Sequence, residues 1–184
     1  MATETLVPTG AGDSTQLVPI GETANWQCTD DDNADTSYVR SSTTDTNTYI
    51  DLYDIDTTTI PAGSTINSVT FYIKCKSGSN TYVADFYIKF KDTVNAYVGT
   101  IGNFQPGTTY TLYNSVVNTN PATSAAWTLA EVNALQIGVS IASGIRESTQ
   151  VIYAGRCTYC YCVIDYTEGA AGVQRFTLIN LEDY

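Results

Sequence analysis

Only one stretch of this chain spaces its apolar residues as a helix does; the rest alternates apolar and polar positions with the period of two that strands require. That stretch, Asn120 to Ala142, reads NPATSAAWTLAEVNALQIGVSIA. Thr128 followed three residues later by Glu131 predicts a capping box, the hydroxyl accepting from the Glu131 N–H while the carboxylate reaches back. Trp127 precedes the cap and is placed to staple onto the first turns through Val132. Leu129, Val132 and Leu135 then predict one short helix over about 128–135. Beyond it Ile137, Val139 and Ile141 alternate with Gly138, Ser140 and Ala142, so the period returns to that of a strand. Trp127, Thr128 and Glu131 are expected to form an architectural clasp, a helix laid across a sheet with no chemistry of its own.

Elsewhere the pattern predicts strands and turns. Thr48 to Ile55 alternates Tyr49, Asp51 and Tyr53 against Ile50, Leu52 and Asp54. SVTFYIKCK and TYVADFYIKFK around Ser77-Gly78-Ser79-Asn80 predict a hairpin pairing Val69 with Ile88, Phe71 with Phe86, Ile73 with Ala84 and Cys75 with Tyr82. Its outer face would carry Thr70, Tyr72, Lys74 and Tyr87. Val94 to Ile101, Thr108 to Tyr113 and Thr149 to Ala154 are further strands. In the last, Arg156 to Thr167, Cys160, Cys162, Ile164 and Tyr166 share one face and Cys157, Tyr159, Tyr161, Val163 and Asp165 the other. About eight to ten short strands with one helix predict an all-β fold, an antiparallel β-sandwich or jelly roll. Three regions are expected: an extended, proline-punctuated arm over 1–21, the sandwich over 22–167, and a linker with a strand-like tail over 168–184.

Composition agrees with that class. The chain has 184 residues, 14 of them Tyr, with only 15% charged, a mixture suited to half-buried pleated surfaces. A net charge of −11 and a pI near 4.1 argue against nucleic acid as a partner, since counterion release needs a cationic face. No histidine occurs, which removes the commonest general base, the Ser-His and Cys-His nucleophile systems and most zinc and haem sites. Paired carboxylates remain a route to glycosidic chemistry, but no pair is singled out and no catalytic residue or cofactor is expected. MATETLVPTG has neither a basic nor an apolar leader region, so no secretory signal is expected. No run approaches the roughly 20 apolar residues of a membrane helix.

Candidate binding residues are few. Asp31, Asn33 and Asp35 have the alternate-residue spacing of a calcium loop, yet Thr36 stands where that loop needs glycine and Ser42 where it needs glutamate. An EF-hand is therefore excluded, and an acidic surface loop whose side chains cap turns is the preferred reading, with no metal expected. All the lysines, Lys74, Lys76, Lys89 and Lys91, fall on the expected hairpin's outer face, either as edge protection or as a basic patch facing an acidic patch on another copy. In the tail, Phe176, Leu178, Ile179 and Leu181 are candidates for contact with a neighbouring subunit by strand addition. Cys157, Cys160 and Cys162 resemble a ligand cluster, but an extended strand spreads them over two faces. Buried free thiols are the default, with a bridge from Cys28 or Cys75 to the last strand left open.

Asn25-Trp26 with the acidic run ending near Asp35, Tyr38-Val39, Asp51-Leu52-Tyr53, Ile66, Ser68-Val69, Asn120 to Thr123, Ala126 to Thr128, Glu131 to Gly138 and Val163 to Tyr166 together resemble a family of small β-sandwich proteins encoded among the structural genes of tailed phages and prophages. The resemblance covers roughly residues 22–167. It implies a non-enzymatic virion component assembled in a host cytoplasm, a capsid decoration or auxiliary subunit docking on copies of itself and on other virion proteins. The alternative is a glycan-binding module or adhesin on a phage tail or cell surface, with Tyr72 and Tyr87 as stacking platforms.

Overall fold

The computed structural model describes residues 1–169. Period-two alternation builds two antiparallel sheets packed face to face, with the clasp at one end. The first sheet contains β1 (Ala2–Leu6), β3 (Val18–Ile20), β4 (Tyr38–Arg40), β6 (Thr65–Lys76), β9 (Thr111–Val117) and β13 (Arg156–Thr167), in the order β3-β4-β13-β6-β9 with β1 against the far half of β13. The second contains β2 (Pro8–Thr15), β5 (Thr48–Ile55), β7 (Asp85–Asp92), β8 (Tyr97–Phe104) and β10 (Leu135–Ala142), in the order β2-β5-β10-β7-β8. A small ribbon, β11 (Gly144–Arg146) with β12 (Val151–Tyr153), stands apart. This is the antiparallel β-sandwich that the alternation predicts. Its core is filled by the inward residues of both sheets, among them Val69, Phe71, Ile73, Ile88, Phe90, Val139 and Ile164.

The inward faces of β6 and β7 are as expected, but their pairing is not. Instead of forming a hairpin, the two strands lie in different sheets, β6 between β13 and β9 and β7 between β10 and β8. Residues 77–84 arch between the sheets, held where Ala84 N–H donates to Ser77 Oγ (2.8 Å) and Ser77 N–H donates to the Gly107 carbonyl (2.8 Å). Phe71 and Phe90 therefore stack across the core, centroids 4.7 Å apart. Alternation records which side chains are inward; the same pattern serves an in-sheet partner and a partner across the core.

The first twenty residues, expected as an extended arm, are strands of the domain. β1 runs along β13 with Ala2 opposite Tyr166 and Leu6 opposite Cys162, β2 pairs β5, and β3 pairs β4. Pro8 opens β2 and Pro19 lies in an edge strand, the positions where a missing N–H is tolerated. Leu6 and Leu17 are buried in the core. The fully buried Asp51 carboxylate ties the segment down, accepting from the N–H groups of Gln16 (2.6 Å) and Leu17 (2.9 Å), from Asn25 Nδ2 (2.6 Å) and from the Tyr53 hydroxyl (2.9 Å).

The clasp forms with its box closed: Glu131 N–H donates to Thr128 Oγ1 (3.2 Å) and Thr128 N–H to Glu131 Oε2 (2.7 Å). The helix, α1 (Leu129–Asn133), is shorter than expected because Leu135 already opens β10. Trp127 is 3% exposed, donates from Nε1 to the Val117 carbonyl (3.0 Å) and sets its edge against Phe90. Asn95 Nδ2 donates to Glu131 Oε1 (2.9 Å) and to Asp92 Oδ2 (2.6 Å), and Asn120 Nδ2 donates to the same Asp92 oxygen (2.6 Å). The motif around Asn120 thus locks the helix onto the end of β7.

β13 contains a bulge between Cys157 and Tyr159 that turns Cys157 inward, beside Cys160, rather than onto the outward face. Thr158 Oγ1 fixes the bulge by donating to the Ser37 carbonyl (2.8 Å). All five cysteines are buried free thiols. Cys75 stands opposite Cys157 in register, and the Cys157 and Cys160 sulfurs lie 3.6 Å apart, in contact but unbridged.

Candidate functional site

The outer face of the first sheet carries a row of tyrosines that two neighbouring strands assemble. Tyr72 on β6 is the cross-strand partner of Tyr161 on β13. Their rings are parallel within 3° and 4.3 Å apart, and Tyr159 adds a third ring 4.6 Å from Tyr161. A stacked pair at this spacing admits nothing between its rings, so a ligand meets hydroxyls, ring edges and the ring face of Tyr72 turned from Tyr161. That face looks over β9, where the opposite residue is the exposed Asn114. Leu112 and Val116, 46% and 56% exposed, flank Asn114 on the same face. Beside the row, Lys74 Nζ donates to Asp32 at 2.6 Å. Partial burial raises the pKa of Tyr159, with the neighbouring Asp32 and Asp31 carboxylates adding to it, and burial likewise raises that of Tyr161, so both remain neutral donors. The surface combines apolar ring area with donors, acceptors and one ion pair.

Of the two tyrosines singled out as stacking candidates, Tyr72 belongs to this row and Tyr87 does not. Tyr87 lies on β7 opposite Ser140, on the outer face of the second sheet. Tyr159 and Tyr161 are the functional candidates that strand pattern alone missed. Their outward alternation was visible, but only the β6–β13 pairing brings them to Tyr72.

The lysines are likewise divided. Lys74 and Lys76 project from the first sheet, Lys89 and Lys91 from the second, so no single basic patch forms. Lys76 pairs with Asp35 at 2.6 Å with its ammonium 4.4 Å from the Tyr110 ring centre, Lys91 pairs with Asp13, and Lys89 donates to Thr100. Burial lowers the Lys89 pKa. The acidic loop is spent on these and similar contacts: Asn33 donates to Asp31 (2.5 Å), and Asp35 also receives Arg156 at 3.2 Å. Among the described residues no three potential ligands cluster as a metal site. Phe176, Leu178, Ile179 and Leu181 lie outside the described residues.

No family model and no curated protein matches the chain. Among solved structures it is similar to one described as "Family 16 Carbohydrate Binding Module-2", at 11% identity and a TM-score of 0.40, with 83% of this chain and 86% of that chain covered.

Proposed function

We propose that this β-sandwich is a non-catalytic glycan-binding module that takes a saccharide on the outer face of the first sheet. The observation that carries the proposal is the half-buried Tyr159–Tyr161–Tyr72 row on the outer face, with the ring face of Tyr72 turned from Tyr161 lying toward the exposed Asn114. A pyranose offers an apolar patch of ring C–H groups and a rim of hydroxyls. An aromatic face takes the former, and tyrosine hydroxyls, an amide and an ion pair take the latter. The other reading, a virion subunit docking through terminal arms, loses the feature that argued for it at the amino end, because β1, β2 and β3 are paired inside the domain. The split lysines also remove the basic patch that would have met an acidic neighbour.

A glycan array probed with the full chain, followed by titration of the best ligand, tests the proposal. Tyr72→Ala and Tyr161→Ala should each weaken binding by about tenfold or more, since a stacked aromatic contact is worth about 0.5–1.5 kcal/mol beyond its buried area. An array without a single binder, or a ligand held equally well by both variants, would sink the reading.

A further inference from the structure

A second site lies at the sandwich edge, where β3, β4 and the start of β5 border a cleft of about 240 Å³. It is lined by Gln16, Val18, Arg40, Ser42, Asp45 and Tyr49 among others. That volume is below the roughly 300–1,000 Å³ of pockets for drug-sized molecules and suits one small ring.

The inventory of polar groups decides what that ring must carry. The carboxylate and side-chain amide acceptors in the cleft are already engaged. Asp45 receives the Asn47 N–H (3.0 Å), the Ser42 hydroxyl (3.1 Å) and the Tyr49 hydroxyl (2.9 Å to Oδ2). These donors, the Asn47 N–H foremost, hold its carboxyl below the ordinary range. Gln16 Oε1 receives the Ile50 N–H at 3.0 Å, and among the described residues the Gln16 amide N–H groups have no acceptor. Arg40 makes one long bond, to the Ser41 carbonyl at 3.4 Å, and no ion pair forms at it among the described residues. What remains free is a set of donors led by a guanidinium fork, which matches a planar pair of acceptor oxygens.

Register adds charge to this. Lys76, Arg156, Arg40 and Val18 are successive cross-strand partners on β6, β13, β4 and β3, so three cations share one row. Asp35 pairs with Lys76 and Arg156, and among the described residues Arg40 has no ion pair, the Asp45 carboxylate of the same cleft being engaged by its own donors. On a chain of net charge −11 this row is a local cationic stripe ending in the cleft. Val18, 39% exposed, and the ring of Tyr49, oriented by its bonds to Asp45, give the cleft apolar surface for the body of a ligand.

We infer that the cleft binds a carboxylate-bearing sugar, a hexuronate, with Arg40 and Gln16 on the carboxylate and Tyr49 and Val18 against the ring. The inference does not rest on the tyrosine row, which lies on other residues. Titration of the full chain with glucuronate and galacturonate, followed residue by residue by NMR, should give saturable shifts centred on Gln16, Arg40 and Tyr49. Glucose and galactose should bind about tenfold or more weakly, the scale of one charge-assisted contact. Acetate, carrying the carboxylate without the ring, should also be weaker. Arg40→Gln should remove binding without changing the melting temperature, and Arg40→Lys should restore only part of it. Tyr72→Ala should leave it intact, which separates this site from the proposed glycan face. Equal binding of neutral and acidic sugars, of acetate and hexuronate, or of Arg40→Gln and parent would each overturn the inference, as would the lack of any saturable shift.

Discussion

At the residue scale, burial sets both the reactivity of the thiols and the cost of losing an aromatic. Cys75, Cys160 and Cys162 have their pKa values pushed up chiefly by desolvation, with neighbouring thiols adding at Cys75 and Cys160 and Glu4 at Cys162. A thiol that is both covered and protonated is a poor nucleophile. The folded chain should therefore resist an aromatic disulfide reagent at pH 8 and titrate five thiols once unfolded in guanidinium. Rapid native labelling of Cys157 or Cys160 would show that β13 opens locally. Trp127→Ala should cost about 3–5 kcal/mol in urea unfolding, as large buried aromatics do on truncation, because its ring and its bond to the Val117 carbonyl are lost together. A variant as stable as the parent would mean that the ring can be replaced by collapse of its neighbours.

At the scale of elements, the polar lock beneath the clasp makes the fold sensitive to acid. Burial raises the Asp92 carboxyl pKa, but bonds from Asn95, Asn120 and the Val94 N–H outweigh it, so the folded value lies below the usual 3.8. A depressed folded pKa gives stability that is present above the unfolded value and is lost as pH falls through the folded one. Asp92→Asn should destabilise by about 1–3 kcal/mol at pH 7, because a third amide would set its own N–H groups against the Asn95 and Asn120 donors. The gap between variant and parent should narrow as pH falls below 4, measured by urea unfolding at pH 7 and pH 3. A gap independent of pH would remove Asp92 as the titrating group. The Thr128–Glu131 box and the alternation of β10 were legible in the sequence because both depend on residues a few positions apart. The β6–β7 arch, the inward turn of Cys157 and the tyrosine row were not, because each depends on which distant strand is the neighbour. The cleft at Arg40 left no motif at all; its signal is the difference between spent and unspent hydrogen-bonding groups, which exists only after folding.

At the scale of the whole molecule, the amino-terminal strands belong to both sheets and close the sandwich. Removing residues 1–20 would strip β1 from the edge of β13 and leave the buried Asp51 carboxylate without two backbone donors. Each lost partner of a buried polar group costs about 1–3 kcal/mol, against a total stability of only about 5–15 kcal/mol for a domain. The truncated chain should fail to give a cooperative unfolding transition by circular dichroism. If it melts as the full chain does, these strands are accessory.

The pairing of Ala2 with Tyr166 and of Leu6 with Cys162 also sets an order on biosynthesis. A chain emerging from the ribosome at about 5–20 residues per second delivers β1 well before its partner, with the other described strands between them. Until the strands between them have been made the β1 strand has no mate, and a neighbouring nascent chain of the same sequence offers the same unpaired strand. Crowded polysomes therefore favour exchange of this strand between copies, whereas sparse initiation favours closure of each molecule on itself.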